Sequence, residues 1–131
     1  MSKPRVSVVS MAAWIAAVGL CAAQQPAFKR TEIQRGDLSV SGREGVQAMA
    51  EFPPNVAAGK HTHPGEELGY VLEGTFRIEI DGQPAVMKKT GEAFLVPAGR
   101  THNATNVGPG TARILATYIV EKGKPLATPV P

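Results

Sequence analysis

Residues 61–74 read HTHPGEELGYVLEG. Two histidines, His61 and His63, stand one residue apart, and two adjacent carboxylates, Glu66 and Glu67, follow the Pro64-Gly65 pair. In an extended strand, residues two apart point to the same side with Cα atoms about 6.6 Å apart. From there two imidazoles can converge on one ion at about 2.1 Å each. A turn at Pro64-Gly65 lets a glutamate re-enter from the adjoining strand and face the same point. Spacing alone leaves two alternatives open: a metal site or the wet face of a strand, and Glu66 or Glu67 as the inward carboxylate.

Outward from this stretch, short runs of alternating or β-branched residues are separated by turn signals at the spacing of an all-β sandwich or barrel. Val46 to Phe52 alternates and is closed by Pro53-Pro54-Asn55; Glu67 to Leu72 ends at Glu73-Gly74. Thr75 to Ile80 puts Phe76, Ile78 and Ile80 on one face and Arg77 and Glu79 on the other. Asp81-Gly82 is a hairpin signal, followed by strands at Gln83 to Lys88, Ala93 to Val96, Thr101 to Val107 and Ala112 to Val120. The pattern predicts an all-β fold, a single small antiparallel β-barrel or jelly roll, of a size that can hold one small ligand.

A second segment, GEAFLVPAGRTHNATN at residues 91–106, contains His102, the third and last histidine of the chain. Together the two segments resemble the paired motifs of the cupins. The first motif of that family is a glycine, five residues, His-x-His, three or four residues, Glu, six residues and Gly; His61, His63, Glu67 and Gly74 keep that spacing, with Asn55 where the opening glycine would fall. The second is matched at each fixed position by Gly91, Pro97, Gly99, His102 and Asn106. Sixteen residues separate Gly74 from Gly91, near the short end for the family.

The resemblance implies a mononuclear site formed by His61, His63, Glu67 and His102, and it selects Glu67 over Glu66. Three imidazoles and a carboxylate suit one divalent transition ion, with Fe(II), Mn(II), Ni(II), Cu(II) and Zn(II) all compatible. Four protein donors on an octahedral ion leave two positions for water, dioxygen or a chelating substrate. The expected function is a small-molecule site like that of the family's dioxygenases; the alternatives are a non-catalytic module that binds a metal or small ligand, and a metal that only stabilises the barrel. Val71, Phe94 and either Phe76 or Ile78 are candidate pocket walls. Tyr70, Arg77, Arg100 and Tyr118 receive no place from spacing.

The flanks read differently. Lys3 and Arg5, an apolar run from Val6 to Leu20 and small residues through Ala23 resemble a secretory signal peptide over residues 1–23. The run is shorter than the roughly 20 residues of a membrane-spanning helix, so an exported, periplasmic or secreted protein without a stable membrane anchor is expected. The single cysteine, Cys21, lies in that leader, and bulky Leu20 before it fits lipid attachment poorly. Removing the leader takes Lys3 and Arg5 from the 14 basic residues, leaving 12 against 11 acidic ones and a charge near +1. No basic stripe suggests nucleic-acid binding. Residues 24–40 form an N-terminal strand or arm, 41–122 the barrel and 123–131 a loose, proline-rich tail. The exposed edges expected of such sheets and the habit of similar small cupins predict a homodimer, with Gln24 to Ser41 as a candidate pairing strand. Asn103-Ala104-Thr105 matches a glycosylation acceptor by coincidence, inside the second motif, and Lys88-Lys89 reads as a solvated turn.

Overall fold

The alternation at Val46, Ala48, Ala50 and Phe52 places these four side chains on one buried face of a ten-residue strand. The computed structural model describes residues 27–131; the leader read at residues 1–23 lies outside them. Ten strands follow in chain order: β1 (Lys29–Asp37), β2 (Arg43–Phe52), β3 (His61–Thr62), β4 (Gly65–Glu73), β5 (Thr75–Ile80), β6 (Val86–Lys89), β7 (Ala93–Val96), β8 (His102–Asn106), β9 (Ala112–Glu121) and β10 (Thr128–Pro129). No helix occurs among the described residues.

The strands form two five-stranded antiparallel sheets, in the orders β1-β2-β9-β4-β7 and β10-β3-β8-β5-β6. The inner face of the first carries the β2 residues with Ala112, Ile114, Ala116, Tyr118 and Val120 of β9; the second contributes Phe76, Ile78 and Ile80 of β5 and Ala104 of β8. Phe52 joins the two layers, stacked on Phe28 with ring centroids 5.1 Å apart and edge-on to Phe76, also at 5.1 Å. Each fully buried aliphatic or aromatic side chain here contributes about 1.5–3 kcal/mol.

Two expectations are corrected. The sheets are not closed into a barrel: β1 and β7 end one sheet, β10 and β6 the other. Inward and outward residues alternate identically in a sandwich and a barrel, so the pattern that revealed the strands could not report closure. The tail is not loose: β10 pairs with β3, and Val130 N donates to Lys60 O at 2.9 Å. The segment offered as a pairing strand forms β1, which pairs with β2 over Lys29 to Asp37 and is the edge strand of its sheet.

Two turn positions explain motif residues. Asn55, standing where the motif has glycine, adopts φ 63°, a left-handed conformation that asparagine tolerates better than most residues. Gly74, between β4 and β5, has φ 89°, and a Cβ there would lie 2.5 Å from the Ala112 Cβ. Backbone sign and lack of space both demand glycine at this position.

Candidate metal centre

His61 and His102 come from neighbouring strands of one sheet and stand directly opposite each other in the β3–β8 register. After Thr62 the chain leaves that sheet, crosses at His63-Pro64 and enters β4 of the other, so His63 lies at the crossing and Glu67 on the facing layer. The four side chains meet between the sheets, each no more than 8% exposed. Imidazole centroids are 4.2 Å apart for His61 and His102, 4.8 Å for His61 and His63, and 5.0 Å for His63 and His102. One donor atom from each of the four residues lies within 4.8 Å of all the others.

Each imidazole is oriented from behind by a main-chain carbonyl. Nδ1–H of His61 donates to Gly59 O at 2.7 Å, that of His63 to Leu126 O at 2.6 Å, and that of His102 to Arg100 O at 3.0 Å. A carbonyl can only accept, so the proton of each neutral ring sits on Nδ1 and the Nε2 lone pair faces inward, the tautomer that binds a metal through Nε2. Glu67 Oε2 lies 3.1 Å from His63 Nε2 and 3.0 Å from His102 Nε2. Lone pairs aimed at a carboxylate repel unless a cation stands among them. The buried His63 Nε2 has no aligned hydrogen-bond partner. This donor set therefore fits a metal ion.

The electrostatics favour the deprotonated forms of His61 and Glu67. Burial pushes the His61 pKa down to about 4, helped by the neighbouring imidazoles and opposed by the Gly59 carbonyl and Glu67. Burial acts on Glu67 in the opposite sense, yet the facing His102 and His63 outweigh it and hold this carboxylate at about 2; without an ion such contacts need a proton on Nε2, the place a metal would take. Tyr118 stands opposite Glu67 in the β4–β9 register, with its ring 4.6 Å from that of His63. Burial, and then the Glu67 charge, raise its hydroxyl pKa, so it stays protonated at neutral pH.

A narrow pocket of about 20 Å³, partly open to solvent and with room for little more than one water molecule, reaches His61, Glu67 and His102. Its walls include Phe28, Arg30, Phe52, Ile78, Phe94 and Tyr118. Phe94 is admitted by Gly69, its partner in the β4–β7 register: a Cβ at position 69 would lie 2.1 Å from the ring.

Of the expected wall residues, Ile78 and Phe94 line the pocket, whereas Val71 and Phe76 are packed in the core. The structure also separates the adjacent carboxylates, with Glu67 buried and Glu66 half-buried on the opposite face of β4. Tyr70, Arg77 and Arg100 are exposed. Asn106, the last residue of the second motif, is fully buried and fastens loops: its amide donates to Phe52 O at 2.9 Å and Gly110 O at 2.8 Å. The motifs are joined directly by Gly99 N, which donates to His63 O at 3.1 Å. Phe28 and Arg30 were missed: Phe28 stands just before β1, and β1 is otherwise almost wholly exposed and shows no alternation to mark Arg30 as inward.

Comparison with known proteins agrees with this geometry. Residues 48–118, more than half of the chain, match the Cupin domain family. The chain belongs to the cupins. It is similar to the polyketide synthase CurC of Streptomyces cyaneus, 28% identical over 79 residues, which are 60% of this cupin and 51% of that protein. It thus spans about half the length of that relative. Among solved structures it resembles an oxalate oxidase in complex with the substrate analogue glycolate (TM-score 0.63, 22% identity, 80% of this cupin and 61% of that chain). A conserved double-stranded β-helix protein from Klebsiella pneumoniae is also similar (TM-score 0.64, 17% identity, 81% and 89% covered). At these identities the structural likeness carries the fold.

Proposed function

We propose that this cupin is an exported protein that holds one divalent transition ion on His61, His63, Glu67 and His102 and uses it to act on a small molecule in the adjoining pocket. The observation that carries the reading is the common orientation of the three imidazoles. Each is fixed by a main-chain carbonyl at Nδ1, so that three Nε2 atoms and one carboxylate face a single point. A bound Fe, Mn, Ni, Cu or Zn ion would supply Lewis acidity and, for the redox-active metals, electron transfer to a chelated ligand. The residues of the chain do the rest. Phe28, Phe52, Ile78 and Phe94 limit water around the ligand, and the protonated Tyr118 hydroxyl offers a hydrogen-bond donor beside Glu67.

The preferred chemistry is that of a metal-dependent oxidoreductase of dioxygenase type, on a fold shared with an oxalate oxidase. One observation favours binding without turnover: among the described residues Glu67 is the only carboxylate in the pocket lining, so none of them offers a second acid as a general base. Metal analysis of protein purified without added metal is expected to find close to one ion per chain. A metal-free chain whose melting curve does not respond to any of the five ions would overturn the reading. Oxygen uptake by an anaerobically iron-loaded sample, assayed against small phenols, thiols and diketones, then separates an oxygenase from a binder.

Export rests on the leader pattern of residues 1–23, and N-terminal sequencing of protein recovered from a secreting host tests it by looking for a mature chain that begins at Gln24. A homodimer is proposed from the outer face of the β1-β2-β9-β4-β7 sheet, where Leu68, Tyr70 and Leu95 are exposed. Light scattering at micromolar concentration distinguishes a mass of two chains from one.

A further inference from the structure

Arg30 brings a positive charge into the metal pocket without a negative partner. It lines the pocket together with His61, Glu67 and His102. Its Cζ lies 5.3 Å from the Phe28 ring centroid and 5.7 Å from that of Tyr118, so two aromatic walls hold the guanidinium in place. Its Nε is buried with no hydrogen-bond partner, the rest of the guanidinium faces the Tyr118 hydroxyl, and none of the ion pairs among the described residues includes it. Among the described residues Arg35 pairs with Glu32 and Glu44, Arg77 with Glu79 and Arg113 with Glu51 and Glu73, whereas Arg43 and Arg100 donate to the carbonyls of Pro64 and Asp81.

A buried donor without an acceptor is costly, and a guanidinium presents a planar fork that matches a carboxylate in shape and charge. Charge balance in the pocket points the same way. With a divalent ion in place, the ion and Arg30 bring three positive charges against the single negative charge of Glu67. An anionic ligand reduces this excess, whereas a neutral one leaves it in a poorly hydrated space. Apolar walls and narrow dimensions limit the ligand to a small molecule.

We propose that Arg30 is the specificity-determining residue of this pocket and that the ligand is a small organic acid, its carboxylate taken by the guanidinium at the metal end of the cavity. The inference rests on the metal reading above and names the substrate class for that site.

The test uses the full-length mature protein loaded with Zn(II), its metal content measured first. Wild type, Arg30→Met, Arg30→Gln and Arg30→Lys are titrated calorimetrically with acetate, lactate and pyruvate, and with acetamide, lactamide and pyruvamide as neutral counterparts. At least one acid is expected to bind wild type better than its amide. Arg30→Met and Arg30→Gln should weaken that acid by about 10- to 100-fold, the loss of a charge-assisted hydrogen-bonded pair. Arg30→Lys should recover part of it, with zinc content unchanged in all four proteins. Arg30→Gln keeps a polar side chain of similar length should Arg30→Met fold poorly. Equal binding of every acid and its amide, or acid binding indifferent to both neutral substitutions, overturns the proposal and leaves Arg30 as a packing residue on Phe28 and Tyr118. Failure of the wild type to take up zinc overturns the metal reading itself, an outcome the initial metal analysis reads separately.

Discussion

Nδ1 of His63 donates to the carbonyl oxygen of Leu126 at 2.6 Å, so a candidate metal donor is aimed by a main-chain atom 63 residues further along the chain. Carbonyls that orient ligating histidines typically change metal affinity about 10- to 100-fold when lost. Deleting residues 125–131 should therefore weaken zinc or nickel binding by a factor in that range, measured by competition with a chromogenic chelator. Leu126→Ala leaves the carbonyl in place and should affect affinity far less than the deletion. Equal affinity in the deletion and the full chain would show that the tail does not orient the ligand.

The neighbouring carboxylates give an internal control. Glu67 faces His63 and His102 from inside, whereas Glu66 points to the other side of β4. Glu67→Gln and His102→Ala should each reduce the metal found by elemental analysis from about one ion per chain to a small fraction of that. Glu66→Gln should leave it unchanged. Loss of metal in Glu66→Gln alone would reverse the assignment.

Acid should destabilise the metal-free fold in two overlapping steps. The His61 pKa falls from 6.5 to about 4 on folding, so between those values the unfolded chain binds the proton that the native chain refuses, and stability declines as pH drops. For Glu67 the corresponding values are 4.5 and about 2, and its contribution, complete above 4.5, is lost as pH falls toward 2. Thermal melts in the presence of a chelator should show a midpoint that is level near neutral pH, with respect to these two groups, and falls steadily below about 6.5. A midpoint that rises on acidification from 6.5 to 4 would contradict the burial of a neutral His61.

Gly69 and Phe94 should behave as one unit. A methyl at position 69 collides with the ring, so Gly69→Ala should cost about 1–3 kcal/mol, the range for overpacking a filled interior, in urea denaturation. Adding Phe94→Leu should return part of that loss by removing the colliding ring atoms. Additive costs in the double variant would mean that the two positions are not coupled.

The parts of this molecule that sequence revealed are those encoded by side-chain type at short period. Phe76, Ile78 and Ile80 announce an inward face, and His61, His63, Glu67 and His102 are visible because two local motifs each hold their spacing. Asn55 was legible too, since few residues other than glycine accept its backbone angle. The Leu126 carbonyl was not, because a main-chain acceptor is the same in every residue and only the path of β10 brings it to His63. Arg30 was hidden for another reason: β1 is an edge strand with almost all side chains exposed, so nothing in its pattern distinguishes the one basic residue that enters the pocket. Closure of the sheets depends on hydrogen bonds between edge strands, to which alternation is blind.

Because the donors are shared between two layers, with His61 and His102 on one and Glu67 on the other, neither layer carries the full set by itself. A chain severed in the Asp81-Gly82 turn would leave His61, His63 and Glu67 on one fragment and His102 on the other. Metal affinity would then report reassembly, rising when the second fragment returns His102 to the three donors of the first.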